Sequence, residues 1–280
     1  MGQIIEFPDI KKLKEEICEL KKDLENLLME RDNLLYVICE NIKTAYFIEF
    51  GTLEHGVYKA YCKYLRLRRK KEIIQAKINR KEKVLLNDIE SQLDVEFIAY
   101  KKKLDDIVND INEALKRSRS EKLTEDEQKE IKKLYRRIVK ILHPDLNPKI
   151  SDSEKELFYS AVESYERGDL YALQMIFDIS CNGDNKENIS SSMEELCKEK
   201  ERLRNLIKKI LLEINQIKDN PPYSLKIFLE NEDKKSEKLK ELRDELKSFN
   251  EAIRTEEEFI NELINEQKNK SIKNKNIKNQ

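Results

Sequence analysis

Apolar residues recur at steps of three and four along most of this chain, which is the spacing of one face of an α-helix. The first stripe follows Pro8 and comprises Ile10, Leu13, Ile17, Leu20, Leu24, Leu27, Leu34 and Ile38. Heptad spacing of this kind predicts a long helix that packs along another helix. The pattern breaks over 41–56, where two glycines and several aromatic residues indicate a compact helix connection.

A second helix is predicted from about Val57, and its stripe ends in the charged stretch at 79–83. Asn87 followed by Glu90 matches a helix start, and a third stripe then runs as far as Ala114. We therefore expect residues 1–104 to form an N-terminal helical or coiled-coil arm.

The C-terminal part repeats this organisation after a polar linker at 181–189. Serines at 190–192 followed by Glu194 and Glu195 predict a helix start, and Pro221-Pro222 predicts its end. A longer apolar stripe follows, so 190–267 is predicted to form an antiparallel helical hairpin. Residues 268–280 are rich in Lys and Asn and are predicted to be disordered. The expected fold is all-α and elongated, with helical hairpins or coiled coils that flank a small central module.

The central module contains a strongly basic amphipathic helix. Ile131, Leu134, Ile138 and Leu142 share one face, while lysines and arginines occupy the others. Pro144 cannot continue a helix, so this helix should stop at about Leu142. Thr124 with Glu127, and Ser151 with Glu154, match capping boxes that start this helix and the next one.

These features resemble the J domain of DnaJ-type co-chaperones: a basic helix, His143-Pro144-Asp145, a short Asn-Pro loop, and a helix with Phe158 and Tyr165 seven residues apart. The resemblance covers a module at about 105–180. It implies that His143, Pro144 and Asp145 trigger ATP hydrolysis by a DnaK-type chaperone. It also implies four basic docking residues, which are Lys133, Arg136, Arg137 and Lys140. Tyr135, Phe158 and Tyr165 match core aromatics of the family.

The sequence departs from the family pattern at both ends of this module. The usual Tyr-x-x-Leu-Gly-Val opening of the first helix is missing, and residues 168–173 replace the usual basic fourth helix. We expect the first-helix role to fall to Ile107, Ile111, Ala114 and Leu115. Without such a helix, the hairpin of two helices would have too little core to form a J domain.

The composition of the chain limits the kinds of partner that are expected and indicates the cellular compartment. Charged residues make up 40% of the chain with a net charge of -1, so no overall field favours nucleic acid or membrane, and neither is expected as a partner. The five cysteines form no Cys-x-x-Cys pair, which favours reduced thiols in a cytoplasmic protein. No apolar run reaches a membrane span, and no signal peptide is recognisable. The Lys-rich tail lacks interleaved aromatics, so a solvated tail is favoured over RNA or lipid binding.

An enzyme is not expected, because the chain has two histidines, no Gly-rich phosphate loop and no nucleophile elbow. No cofactor or metal is expected either. A pairing of Cys62 with His143, or a metal held by His143 and Asp145, stays open as a minor alternative.

The sequence therefore predicts a co-chaperone whose arms serve client binding, localisation or dimerisation. The alternatives are a coiled-coil scaffold with an uncoupled J-like module and, more weakly, a nucleic-acid-associated coiled coil. A homodimer or client interface on the C-terminal hairpin is left open.

Overall fold

The computed structural model describes residues 8–119, 123–181 and 192–278, with side chains as far as residue 267. The helices are α1 (Pro8–Asn33), a π-helical segment (Leu34–Cys39), α2 (Glu40–Asn79), α3 (Leu86–Glu96), α4 (Ile98–Arg119), α5 (Glu125–Leu142), α6 (Asp152–Arg167), α7 (Leu170–Cys181), α8 (Met193–Asp219), α9 (Lys226–Glu230) and α10 (Glu232–Lys278). No strand occurs in these ranges, and the predicted all-α class is confirmed. Within the same ranges, we find no helix with the length and apolar character needed to cross a membrane.

The chain divides into two compact units, and each is assembled from segments that are distant in sequence. The first unit combines residues 1–42 with 120–224, and the second combines 43–119 with 225–280. The predicted boundaries at 104 and 180 follow the chain in order, whereas these units interleave. Sequence periodicity marks where helices lie, but it carries no information about which distant helix is the partner.

The first unit has one continuous apolar core. In it α1 packs along α8, and α5, α6 and α7 pack on one another, while α1 also contacts α5. The fully buried side chains include Leu24, Leu28, Leu134, Tyr135, Ile138, Leu142, Leu173 and Leu203. The apolar face of α8 is thus covered by α1, and α10 belongs to the other unit. This corrects the predicted hairpin over 190–267, because the heptad stripe of α8 packs against α1, which lies near the N-terminal end of the sequence.

The second unit is built around residues 43–79 of α2, together with α3, α4 and α10. It contains two small apolar clusters, one around Phe50 and Leu242 and the other around Ile74 and Leu93. The predicted helix break over 41–56 is wrong, since α2 runs through it. A Cβ at Gly51 would lie 2.9 Å from Cγ1 of Ile111, so this glycine gives α4 room for a close approach to α2.

This approach also corrects the predicted first helix of the module. Residues 107–115 lie in α4, which belongs to the second unit, where Ile111 lies against Gly51. The core of the α5 and α6 hairpin is completed instead by α7 and by α1. The apolar residues at 107–115 do lie at helical spacing, but they belong to the second unit and not to the core around α5 and α6.

Helix ends were predicted with mixed success. The ends of α2, α5 and α8 and both capping boxes are confirmed. Residue Leu85, with no side-chain cap, precedes α3, so Asn87 is not its cap. α10 reaches Lys278, well into the tail predicted to be disordered, because extending an existing helix adds one hydrogen bond per residue. Residues 279–280, residues 182–189 of the predicted linker and residues 190–191 of the predicted hairpin lie outside the described residues.

Candidate functional site

The candidate site is the loop between α5 and α6, and capping boxes fix the start of both helices. The N–H of Glu127 donates to Oγ1 of Thr124 at 3.2 Å, and Oε2 of Glu127 accepts from the N–H of Thr124 at 2.8 Å. Ser151 and Glu154 repeat this exchange at the start of α6. α6 ends at Arg167, and the next residue, Gly168, has a φ of 68°, which is the left-handed conformation that favours glycine. These local interactions set the length of the hairpin and hence the place of its loop.

The loop itself is a closed turn rather than an open connection. His143 ends α5 by donating its N–H to the carbonyl of Val139 at 3.0 Å, and its own carbonyl accepts from Leu146 and Asn147. Nδ2 of Asn147 donates to the carbonyls of Lys140 and Ile141 at 2.8 and 2.9 Å. Carbonyls that the end of a helix leaves without partners are thereby satisfied. The backbone of the His-Pro-Asp tripeptide thus lies in a hydrogen-bonded turn.

The imidazole of His143 is buried within this turn, with 5% of the residue exposed. Its Nδ1 accepts a hydrogen bond from the N–H of Asp145 at 3.0 Å, and its ring meets Phe158 edge to face at 4.9 Å. An Nδ1 that accepts belongs to a neutral imidazole with its proton on Nε2. Burial lowers the pKa of His143 to about 4, against the opposing influence of the Asp145 and Asp32 carboxylates. The ring is therefore neutral at pH 7.

Asp145 ties the loop to α8. Its backbone carbonyl accepts from Nη1 of Arg202 at 2.9 Å, and the Arg202 guanidinium is itself held by Glu199 at 2.7 Å. Leu146, the next residue, is buried in the same core as α8. Within the tripeptide, His143 thus contacts α6 through Phe158, and Asp145 contacts α8 through Arg202.

A buried polar cluster anchors α5 to α1. The rings of Tyr135 and Tyr165 stack at 4.1 Å with 11° between their planes. The hydroxyl of Tyr135 donates to Oδ2 of Asp32 at 2.8 Å, and Arg31 donates twice to Oδ1 of the same carboxylate. Asp32 is 1% exposed. Burial, and then the Asp32 carboxylate, raise the pKa of Tyr135 above its usual range, so its phenol stays a donor.

The basic side chains predicted for docking lie on one exposed face of α5, at steps of three, one and three residues. Two of them have partners on other helices: Arg136 contacts Glu25 and Asn26 of α1, and the guanidinium of Arg137 lies 5.4 Å from the ring centre of Phe177 in α7. Lys133 lies 3.5 Å from Glu130 on its own helix, and Lys140 is exposed. The face thus carries four basic side chains along α5, and Lys140 is the one nearest to the loop in sequence.

The predicted tripeptide directly follows α5, whose exposed face carries the predicted basic side chains. It places the thiol candidate Cys62 in the second unit, and the described residues contain no group of side chains arranged to hold a metal. Three further residues contact the site and were missed by the sequence analysis: Arg31, Asp32 and Arg202. A charged Arg-Asp pair inside the apolar stripe of α1 was a usable signal, whereas Arg202 carries none.

Comparison with known proteins gave no counterpart for this arrangement: no family model matched the chain, and neither curated proteins nor solved structures gave a match. The loop is closed by hydrogen bonds and contains a buried, neutral imidazole, and the preceding helix carries an exposed basic face.

Proposed function

We propose that this protein is a J-domain-type co-chaperone that recruits a DnaK-type chaperone and stimulates its ATPase. The observation that carries the proposal is the placement of His143, Pro144 and Asp145 in the closed turn at the end of a basic helix. The stacked Tyr135 and Tyr165 and the ring of Phe158 under His143 support it, since they correspond to the core aromatics that the resemblance implies. Client binding, localisation or dimerisation is left to the remaining helices.

The test is single-turnover ATP hydrolysis by a DnaK-type chaperone from the same cell. The parent chain should accelerate hydrolysis, and His143→Gln should abolish the acceleration. His55→Gln is a matched control, because His55 is the only other histidine and lies in the second unit. Equal stimulation by the parent and His143→Gln would refute the proposed role of the tripeptide.

The basic face gives a second, independent arm of this test. Neutralising Arg136 and Arg137 should weaken coupling, but both side chains also have partners within the chain. Lys133→Gln with Lys140→Gln removes two charges of the same face without touching those contacts. We expect coupling to fall by about tenfold at low ionic strength, because steering charges act mainly on association. Lys240→Gln with Lys247→Gln makes the same change at the same spacing in α10 and should have no effect.

A second candidate function is a coiled-coil scaffold whose J-like module no longer couples to a chaperone. The observation that favours it is that Arg202 holds the carbonyl of Asp145 while Arg136 is engaged by α1. The variant Arg202→Ala separates the candidates, since it removes the side-chain contact between the loop and α8 and leaves the hydrogen bonds of the turn and His143 in place. A scaffold gains no ATPase stimulation from this change, whereas a co-chaperone keeps or increases its stimulation.

A further inference from the structure

A groove of about 280 Å³ lies between α2 and α10 in the second unit, far in sequence from the His-Pro-Asp loop. α2 contributes Glu54, Tyr58 and Tyr61 to its walls, and α10 contributes Glu245 and Phe249. On both helices a carboxylate precedes an aromatic ring by four residues, which is about one helical turn. Each helix therefore presents the same pair of groups to the groove.

The two carboxylates lie toward the same end of the groove because the helices run parallel here. Leu246 approaches Gly56, the ring of Phe249 lies 5.5 Å from that of Tyr61, and further along Glu256 pairs with Lys71. Residue numbers thus increase together on α2 and α10. Glu54 and Glu245 precede the rings on both sides.

The aromatic residues form a continuous wall. Tyr61 meets Phe249 at an interplanar angle of 62°, and Tyr58 lies 6.2 Å from Tyr61. One ring of this wall already holds an ammonium group, since Nζ of Lys103 lies 4.7 Å from the centre of Tyr58. Lys103 does not line the groove, so it leaves the groove itself open. Aromatic faces attract cations through their quadrupole.

Glu54 and Glu245 are the charged residues of the groove lining. Among the described residues, neither Glu54 nor Glu245 takes part in an ion pair, while Glu256 and Glu257 of α10 pair with lysines of α2. The hydroxyl of Tyr46 donates to Oε1 of Glu54 at 2.6 Å and fixes that carboxylate in place. The groove therefore combines net negative charge with apolar and aromatic walls.

We propose that this groove binds a small organic cation with a quaternary ammonium group. Such a group carries positive charge without N–H donors, so it needs aromatic faces and nearby carboxylates but no set of converging acceptors. Val57 and Leu242, which are buried at the base of the groove, suit its methyl groups. A primary ammonium would need several acceptors, and Glu54 already uses one oxygen for Tyr46.

The test uses choline and its uncharged analogue 3,3-dimethylbutan-1-ol, each titrated into the full chain and followed by proton NMR. The trimethylammonium resonance of choline should shift upfield through the ring currents of the wall. Choline should bind about tenfold more tightly than the analogue, since the two differ only in charge. Equal binding of the two, tighter binding of butylammonium, or no choline binding at all would overturn the proposal.

Two variants localise the site. Glu245→Gln removes one charge from an exposed side chain and should weaken choline binding several-fold, and Phe249→Leu should reduce the upfield shift because only the rings of Tyr58 and Tyr61 remain. Glu262→Gln, an exposed carboxylate elsewhere on α10, is the matched control and should bind like the parent. If Glu245→Gln also bound choline like the parent, the assignment to this groove would be wrong.

Discussion

Two clusters of charged residues, one in each unit of this protein, differ in how deeply they are buried. In the first unit one carboxylate, Asp32, is buried between Arg31 and Tyr135 and connects α1 to α5. In the second unit, by contrast, Glu90 pairs with Arg66 and Lys70 on the surface, and its side chain is 41% exposed. A chain with 40% charged residues thus contains both kinds of pair.

This difference indicates which charged pairs contribute most to the stability of the fold. When a buried carboxylate is removed, its partners remain buried without a counter-charge and without water. This costs several kcal/mol of folding free energy. When an exposed ion pair is broken, water replaces the lost contact. Such a pair therefore usually contributes less than about 1 kcal/mol to the free energy of unfolding. The geometry of the candidate site should therefore depend on Asp32 far more than on any surface ion pair.

The largest expected effect comes from Asp32→Ala. This change leaves the Arg31 guanidinium and the Tyr135 hydroxyl without their shared acceptor, so we expect a loss of about 3 kcal/mol in the free energy of unfolding of the first unit. The measurement is urea unfolding, with amide hydrogen exchange of α5 and α6 reporting on that unit.

Asp23→Ala is its control, because Asp23 is an exposed carboxylate on the same helix. It should change the stability by less than about 0.5 kcal/mol. Equal effects of the two substitutions would mean that the buried cluster is not an anchor.

The hairpin around this anchor could be predicted from sequence because its signals are local. The capping pairs Thr124 with Glu127 and Ser151 with Glu154, together with the Pro144 stop, are formed within a few residues and need no distant partner. The partner helices could not be predicted, because α1 meets α5 across about a hundred residues of chain. Apolar periodicity is equally satisfied by any suitable partner, which is why α4 and α8 were assigned to the wrong neighbours.

The same limit applies to the groups at the site. The tripeptide is recognisable as a motif, but its burial under Phe158 and its contact with Arg202 follow from the tertiary structure. Gly51 shows the converse error. It was interpreted as a helix breaker, and it is a helical residue whose missing side chain makes room for Ile111.

An intermediate effect is expected from acidification through His143. Its pKa is about 4 in the folded chain and about 6.5 in an unfolded one, so the unfolded state binds the extra proton between these values. Stability should therefore be unaffected by this group above pH 7 and fall by about 1 kcal/mol per pH unit between pH 6 and 4.5. Urea unfolding of the parent and of His143→Gln across this range isolates the contribution.

The difference in unfolding free energy between these two proteins should shrink as the pH falls. His55→Gln, in the second unit, should keep the acid-dependent loss of the parent. A pH-independent difference between the parent and His143→Gln would show that the imidazole is not buried in its neutral form.

The smallest effect is expected from Glu90→Gln, which completes the contrast with Asp32. Hydrogen bonding to Lys70, and then to Arg66, lowers the pKa of Glu90, so its contribution is present above the pKa of an unfolded glutamate and is lost as the pH falls through the lower folded value. Because the carboxylate is well exposed, we expect a loss below about 1 kcal/mol at pH 7 that shrinks further in 0.5 M salt. Hydrogen exchange of α3 with and without salt measures it. A loss as large as that of Asp32→Ala would mean that this surface network anchors the second unit as the buried cluster anchors the first, and the contrast between the units would disappear.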